Sequence, residues 1–165
     1  MNDTMLSPPT RAVTWWDHRV YTANLAQVGP VRRDLAADLT GFDPDLVDTV
    51  QLCAAELAAN AVKYAPGGTE FLRVLAMPTP STLWLAIVDE GGGIGLPRIP
   101  TERTTDEWDM AEGQRGLALV DILAEEWGYY PVGPGGTEFG IGVWATFNVS
   151  PDQVPDGLGR FVLTR

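Results

Sequence analysis

Three stretches of the chain hold residue types that can do chemistry at usable spacings. Residues 52–62 read LCAAELAANAV, and Glu56 and Asn60 are the only polar residues among them. Side chains four apart share a helix face, and Lys63 extends the same stripe. A helix apolar almost all round is a buried helix. An unpartnered carboxylate there is costly, so Glu56 needs a reason: a hydrogen bond to Asn60 along the helix, a solvated groove, or a ligand. The alanines around the pair leave room for backbone or ligand to come close.

Residues 89–95 read DEGGGIG and follow the apolar run LWLAIV. Glycines after a strand allow positive φ and a close ligand. Asp89 is either a plain turn former or the polar end of a site. Two phosphate motifs fail here. A P-loop needs a Gly-Lys pair, and the chain has none. A dinucleotide fingerprint counted from Gly91 and Gly93 meets Leu96 where its third glycine belongs. The third stretch, GQRGLALVDIL at 113–123, opens an apolar helix. Free N–H groups at a helix start bind anions, and Arg115 adds a charge that can reach a phosphate. Taken singly it is an ordinary loop-to-helix junction.

The elements that must position these groups are legible in outline. Residues 1–10 read as a loose tail. Residues 11–28 contain AVTWW and RVYTANLAQV, one or two strands. A helix starts at Pro30 and ends before Gly41, with Val31, Leu35 and Leu39 as its apolar stripe. The next helix has Asp43 as cap, Pro44 at its first position, and Phe42 with Val47 as a hydrophobic staple. It runs to about Tyr64 and stops at APGG. Residues 70–77 and 83–89 read as strands joined by a PTPS hairpin. Residues 94–115 form a long loop of weak periodicity, a length usually functional or disordered. A third helix fits 116–127, and after GPGG the run VWATFNV reads as a closing strand. The sum is α+β: a mixed, mostly antiparallel sheet with helices on one face. One domain over 11–150 is flanked by tails at 1–10 and 151–165.

Composition narrows the partners. The 165 residues suit one domain with a sizeable core. A net charge of -11 repels nucleic acid and anionic lipid, so neither is expected as a direct partner. Any anion must be held by backbone N–H groups, a metal ion or local arginine. With Cys53 as the single cysteine no internal disulfide forms, which fits a cytoplasmic setting. The N-terminus lacks a signal-peptide core, and no apolar run is long enough to span a membrane.

The ordered set is more informative than its parts. ELAANA on a helix, VDEGGG at a strand end, a long loop and GQRGLALV opening a helix resemble the N box and the two glycine boxes of the GHKL ATPase family. ELAANAVKYA, GQRGLALVDILAEEWG and VWATF look most like the small anti-sigma-factor serine-kinase-type ATP-binding domains of actinobacteria. The resemblance runs from about Arg32 to Val149.

It implies the Bergerat two-layer α/β sandwich, with ATP and Mg²⁺ as cofactors. Asn60 would ligate the Mg²⁺ on the ATP phosphates. Glu56 would be the general base, and Asp89 would accept a hydrogen bond from the adenine amino group. Gly91, Gly93 and Gly95 would let backbone lie close to the nucleotide. Residues 94–115 would be the ATP lid. Arg115, Gly116 and Leu117 would meet phosphate at the helix start, with Lys63 and Thr137 completing the pocket. The partners implied are ATP or ADP, a sigma factor or a STAS-type anti-sigma-factor antagonist, and a second copy in a homodimer. The sequence departs from the family pattern at Gln114, where a glycine usually precedes the arginine. It departs again in GTEFGIGVWA, which is longer and lacks a lysine, and in an acidic lid. Retained Glu56 and Asn60 argue for a protein serine kinase. The departures argue for a non-catalytic module that sequesters a sigma factor or another regulator.

Other residues read as structure. Cys53 belongs with Val50 and Leu57 in the core. His18 has no metal-ligand cluster around it. Arg32 and Arg33 form a solvated face. Trp15, Trp16, Trp84, Trp127 and Trp144 are core candidates, while Trp108 lies in the lid stretch, where it could meet a partner.

Overall fold

A computed structural model of the chain describes residues 14–64, 68–90, 112–132, 140–156 and 158. The tail at 1–10, most of the lid stretch with Trp108, the three glycines Gly91, Gly93 and Gly95, and Thr137 lie outside the described residues.

In chain order the elements are β1 (Thr14–Trp15), β2 (Arg19–Thr22), a 3-10 turn (Leu25–Gln27), α1 (Val28–Asp38), α2 (Pro44–Tyr64), β3 (Glu70–Thr79) and β4 (Thr82–Asp89). They are followed by α3 (Glu112–Leu123), β5 (Glu126–Pro131), β6 (Ile141–Asn148) and a second 3-10 turn (Pro151–Gln153). The six strands form one sheet in the order β1-β3-β4-β6-β5, and β2 pairs with the same edge of β3 as β1 does. Every described ladder is antiparallel, so the mostly antiparallel expectation holds at its limit. The hairpin β3–β4 slips register between Ala76 and Thr79. Pro78 lies in that interval and has no N–H to give to a ladder.

The side-chain alternation of the strands separates two faces. Phe71, Leu75 and Met77 of β3 and Leu83, Leu85 and Ile87 of β4 point one way and are buried. Val50, Cys53 and Leu57 of α2 and Val31 and Leu35 of α1 pack with them in one core. Leu39, just past α1, joins that core, as the apolar stripe predicted. The Asp43 cap is real: its Oδ1 accepts the N–H of Asp45 at 2.9 Å. Burial pushes the Cys53 thiol up to about 11, with the Glu56 charge adding to it, which makes it an inert core group.

A charged cluster ties α1 to the sheet, and nothing in the local pattern announced it. Arg73 on β3 is fully buried on the helix-facing side. Its Nη2 donates to Asp38 Oδ2 at 2.5 Å. Arg19 of β2 donates to both Asp38 oxygens, at 2.7 and 3.0 Å. One turn earlier on the same face of α1, Asp34 accepts the Tyr21 hydroxyl at 2.8 Å. Burial, then the bond to Asp34, pushes the Tyr21 hydroxyl well above its usual range.

Two expectations need correction. The third helix begins one turn before Gly116, at Glu112, and ends at Leu123 rather than at Trp127. Trp127 belongs to β5, an edge strand the helical reading had absorbed. The sequence EWGYYP has the aromatic content of a strand. Gly128 within it is no turn signal: a Cβ there would come within 2.8 Å of the Trp144 ring. Trp127 instead reaches back to the helix, donating its indole N–H to Asp121 at 2.8 Å. The VWATFNV strand is therefore internal, between β4 and β5. Beyond it, Val154 and Leu158 pack on the helix-side core, and the Pro155 ring sits against Gly41, whose φ of 91° suits glycine.

Candidate functional site

Helix α2 lays Val50, Cys53, Ala54, Leu57, Ala58 and Ala61 onto the core. Turning about the axis brings Glu56 and Asn60 to its flank, both half-buried, and Lys63 to the exposed end. The partner that covers Glu56 is the backbone of α3. A Cβ built on Gly116 would lie 2.5 Å from Glu56 Oε2 and 3.3 Å from its Cβ. Gly116 is thus the residue type that lets the two helices close over a carboxylate. Leu117 beside it is 5% exposed and anchors α3 in the core, while Arg115 stays exposed. This packing also accounts for the early start of α3, since tertiary contact overrides the poor helix propensity of glycine. With the helix beginning at Glu112, the N–H groups of residues 112–114 are among those a helix start leaves without intrahelical partners.

Asp89 is the last residue of β4 and pairs with Phe71. It therefore sits on the helix-facing side of the sheet, in line with Ile87. Its Oδ1 accepts the N–H of Ile141 at 3.1 Å, which fastens the ends of β4 and β6 together.

The structure also reveals a clamp that motif reading missed. Glu90 accepts the Thr69 N–H at 2.6 Å and the Thr69 hydroxyl at 3.2 Å. The Thr69 backbone bond holds the Glu90 carboxyl below the usual carboxylate range. Thr69 follows the α2–β3 connection, so this bond fixes the segment after α2 to the end of β4. Asn60 and Lys63 lie in the last turns of α2, just before that segment, and Asp89 closes β4, just before Glu90. The only sequence signal was the second acid of the DE pair. Replacing Glu90 by Ala should speed amide exchange at Thr69 and Glu70 on the order of tenfold, while Glu90→Gln, which keeps an acceptor oxygen, changes it little. Hydrogen-exchange mass spectrometry reads the difference.

An antiparallel sheet with helices on one face is a two-layer α/β architecture, and here an acid and an amide stand a turn apart on α2 with an aspartate at the end of an inner strand. A family model described as a histidine kinase-like ATPase domain matches residues 21–140, and the chain belongs to that family. The domain is an ATP-binding one. No curated protein matches the chain. Among the described residues no helix is long and apolar enough to cross a membrane.

The Glu56–Gly116 contact carries a direct test. In Gly116→Ala the new Cβ displaces the Glu56 carboxylate, and misplacement on that scale slows any reaction using Glu56 on the order of 10²-fold. Stability should change by no more than about 1 kcal/mol either way, since the better helix propensity of alanine is offset by a Cβ set 3.3 Å from Glu56 Cβ. Thermal melting and ATP turnover on one preparation separate the two effects.

Proposed function

We propose that the protein is an ATP-dependent protein serine kinase that transfers the ATP γ-phosphate to a serine of a small anti-sigma-factor antagonist. The observation that carries this reading is the closure of α3 on Glu56 at Gly116. It puts a half-buried carboxylate, the N-terminal part of a helix and Asn60 within one turn of α2. Glu56 orients the attacking hydroxyl and takes its proton as the O–P bond forms. Asp89 accepts the adenine amino group. Gly91, Gly93 and Gly95 carry backbone close to the nucleotide, and Lys63, Arg115, Leu117 and Thr137 line the phosphate side.

Mg²⁺ fits this donor set. Among the described residues no cluster of three or more His, Cys, Asp or Glu could cage a metal ion. An ion held by one amide oxygen, water and the ATP phosphates needs no such cage, because Mg²⁺ keeps several waters and shares substrate phosphates. Asn60 would hold it, and its chemistry there is charge neutralisation on the transferring phosphoryl group. An acidic protein thereby accommodates an anionic substrate.

A second reading is favoured by Gln114 in the second glycine box. There the domain binds nucleotide without transfer, or has lost binding, and acts by sequestering a sigma factor or another regulator. Calorimetry of Mg²⁺-dependent ATP binding on the wild type and on Asn60→Ala tests the site. Micromolar binding that weakens by about tenfold or more without Asn60 supports it. No binding to the folded wild type removes the kinase reading and leaves the docking module.

A further inference from the structure

The sheet face away from the helices carries a second apolar cluster. Ala76, Ala86, Trp84 and Trp144 form its centre, with Trp15, Val74 and Tyr130 packed round them. Every member lies on a strand or at a strand position, and among the described residues no helix contributes to it. The rings lie flat on small residues. Trp144 covers Gly128, Tyr130 covers Gly142, and Tyr130 stacks on Trp84 with centroids 6.4 Å apart and planes 24° apart. Together they make an aromatic floor reaching from β1 to β5.

Two features say that this floor takes a further layer. Trp84 and Trp144 are only 4% and 2% exposed, although no described element rests on them. In addition, the indole Nε1 atoms of Trp15 and Trp144 are buried without a hydrogen-bond partner. Buried donors are nearly always paired, so the missing layer should bring acceptors. The cover is also graded. Trp15, Ala76 and Trp84 lie in one row, and Val74, Ala86 and Trp144 in the next. In the row beyond, Val20 is 56% exposed and Leu72 and Val88 are half-buried.

We propose that the occupant is the chain's own stretch before β1, residues 6–13, LSPPTRAV. Position favours it. β1 runs antiparallel to β3 with Thr14 opposite Met77, so the chain enters the sheet at the β3–β4 hairpin end, beside the row of Trp15, Ala76 and Trp84, one of the two well-covered rows. The other end of the described chain leaves from the wrong side, since Pro155 and Leu158 pack on the helix face. Reach favours it too: four strand spacings from β1 to β5 are roughly 19 Å, and eight residues at the rise of an extended proline-rich chain give roughly 25 Å. The chemistry agrees. Flat Trp and Tyr rings with free indole donors are what recognises a Pro-Pro segment, whose rings stack and whose carbonyls accept. The inference does not depend on the proposed kinase activity.

A nitroxide on Ser7→Cys tests it in the full-length chain. Cys53 is fully buried and its thiol is pushed up to about 11, so the label goes to position 7 alone. The readout is broadening of the tryptophan indole N–H signals in ¹H–¹⁵N spectra, measured against the reduced label. Trp84 and Trp144 should relax several-fold faster than Trp127, and Pro8→Ser with Pro9→Ser should abolish the difference. Equal relaxation at Trp84, Trp144 and Trp127 overturns the proposal. So does broadening confined to mixtures of labelled unenriched chain with unlabelled ¹⁵N chain, which would make the occupant a second copy.

Discussion

Asp38→Ala should lower the unfolding free energy by about 3–5 kcal/mol, the usual cost of stranding a buried charge. Urea denaturation measures it. Arg73 is fully buried, and its Nε and Nη1 have no hydrogen-bond partner. The Asp38 carboxylate, 13% exposed, is the acceptor for its remaining nitrogen. Losing it leaves an uncompensated guanidinium under α1, and Arg19 loses its anchor as well. The pair is not thereby a large net stabiliser, because both ions were desolvated to form it. The double variant Asp38→Ala with Arg73→Met should therefore recover most of the loss. If it is no better than Asp38→Ala, burial of Arg73 is not the cause.

The same cluster sets an acid limit. Burial pushes the Asp38 carboxyl up, but hydrogen bonds from Arg19 and Arg73 outweigh it and hold the group below its ordinary 3.8. The unfolded chain thus takes up this proton at higher pH than the folded one does. The contribution of Asp38 is complete above the ordinary carboxylate range and is lost as pH falls through the folded value. Wild-type stability should drop below about pH 4 more steeply than that of the double variant, which has no carboxylate there to protonate.

Glu56→Gln should reduce phosphoryl transfer by about 10²–10⁴-fold, the range for loss of a positioned general base. Nucleotide affinity should stay within about threefold, since uniform binding does not run through the base. The amide has nearly the volume of the carboxylate, so the close approach of Gly116 is kept and the helices need not shift. Transfer to a serine-bearing antagonist and calorimetry on the same protein give the two numbers. Unchanged transfer would remove Glu56 from the chemistry. Lost binding would mean that Glu56 holds the site together rather than reacting in it.

The sequence alone determined a good deal, and for local reasons. The stripe Val31, Leu35, Leu39 and the Asp43 cap mark α1 and α2 because capping and 3.6-residue periodicity are short-range effects. The order ELAANA, VDEGGG, GQRGLALV pointed to the ATPase family, and a family model over residues 21–140 bears that out. Alternation and proline marked the β3–β4 hairpin. What escaped depended on residues far apart in the chain. β5 looked helical because DILAEEW continues an apolar pattern, and only pairing with β6 makes Trp127 a strand residue. Glu56 posed a question that composition could not answer, since its cover, Gly116, lies 60 positions away. Arg73 shares the buried face of β3 with Phe71 and Leu75, and its counterion, Asp38, lies 35 positions earlier in the chain. Trp84 and Trp144 read as ordinary core, but which side of the sheet they cover was decided by the register of β4 and β6. Periodicity shows which face of an element is apolar. Which partner meets that face, and whether a buried charge finds its counterion, is settled when the sheet closes and the helices dock.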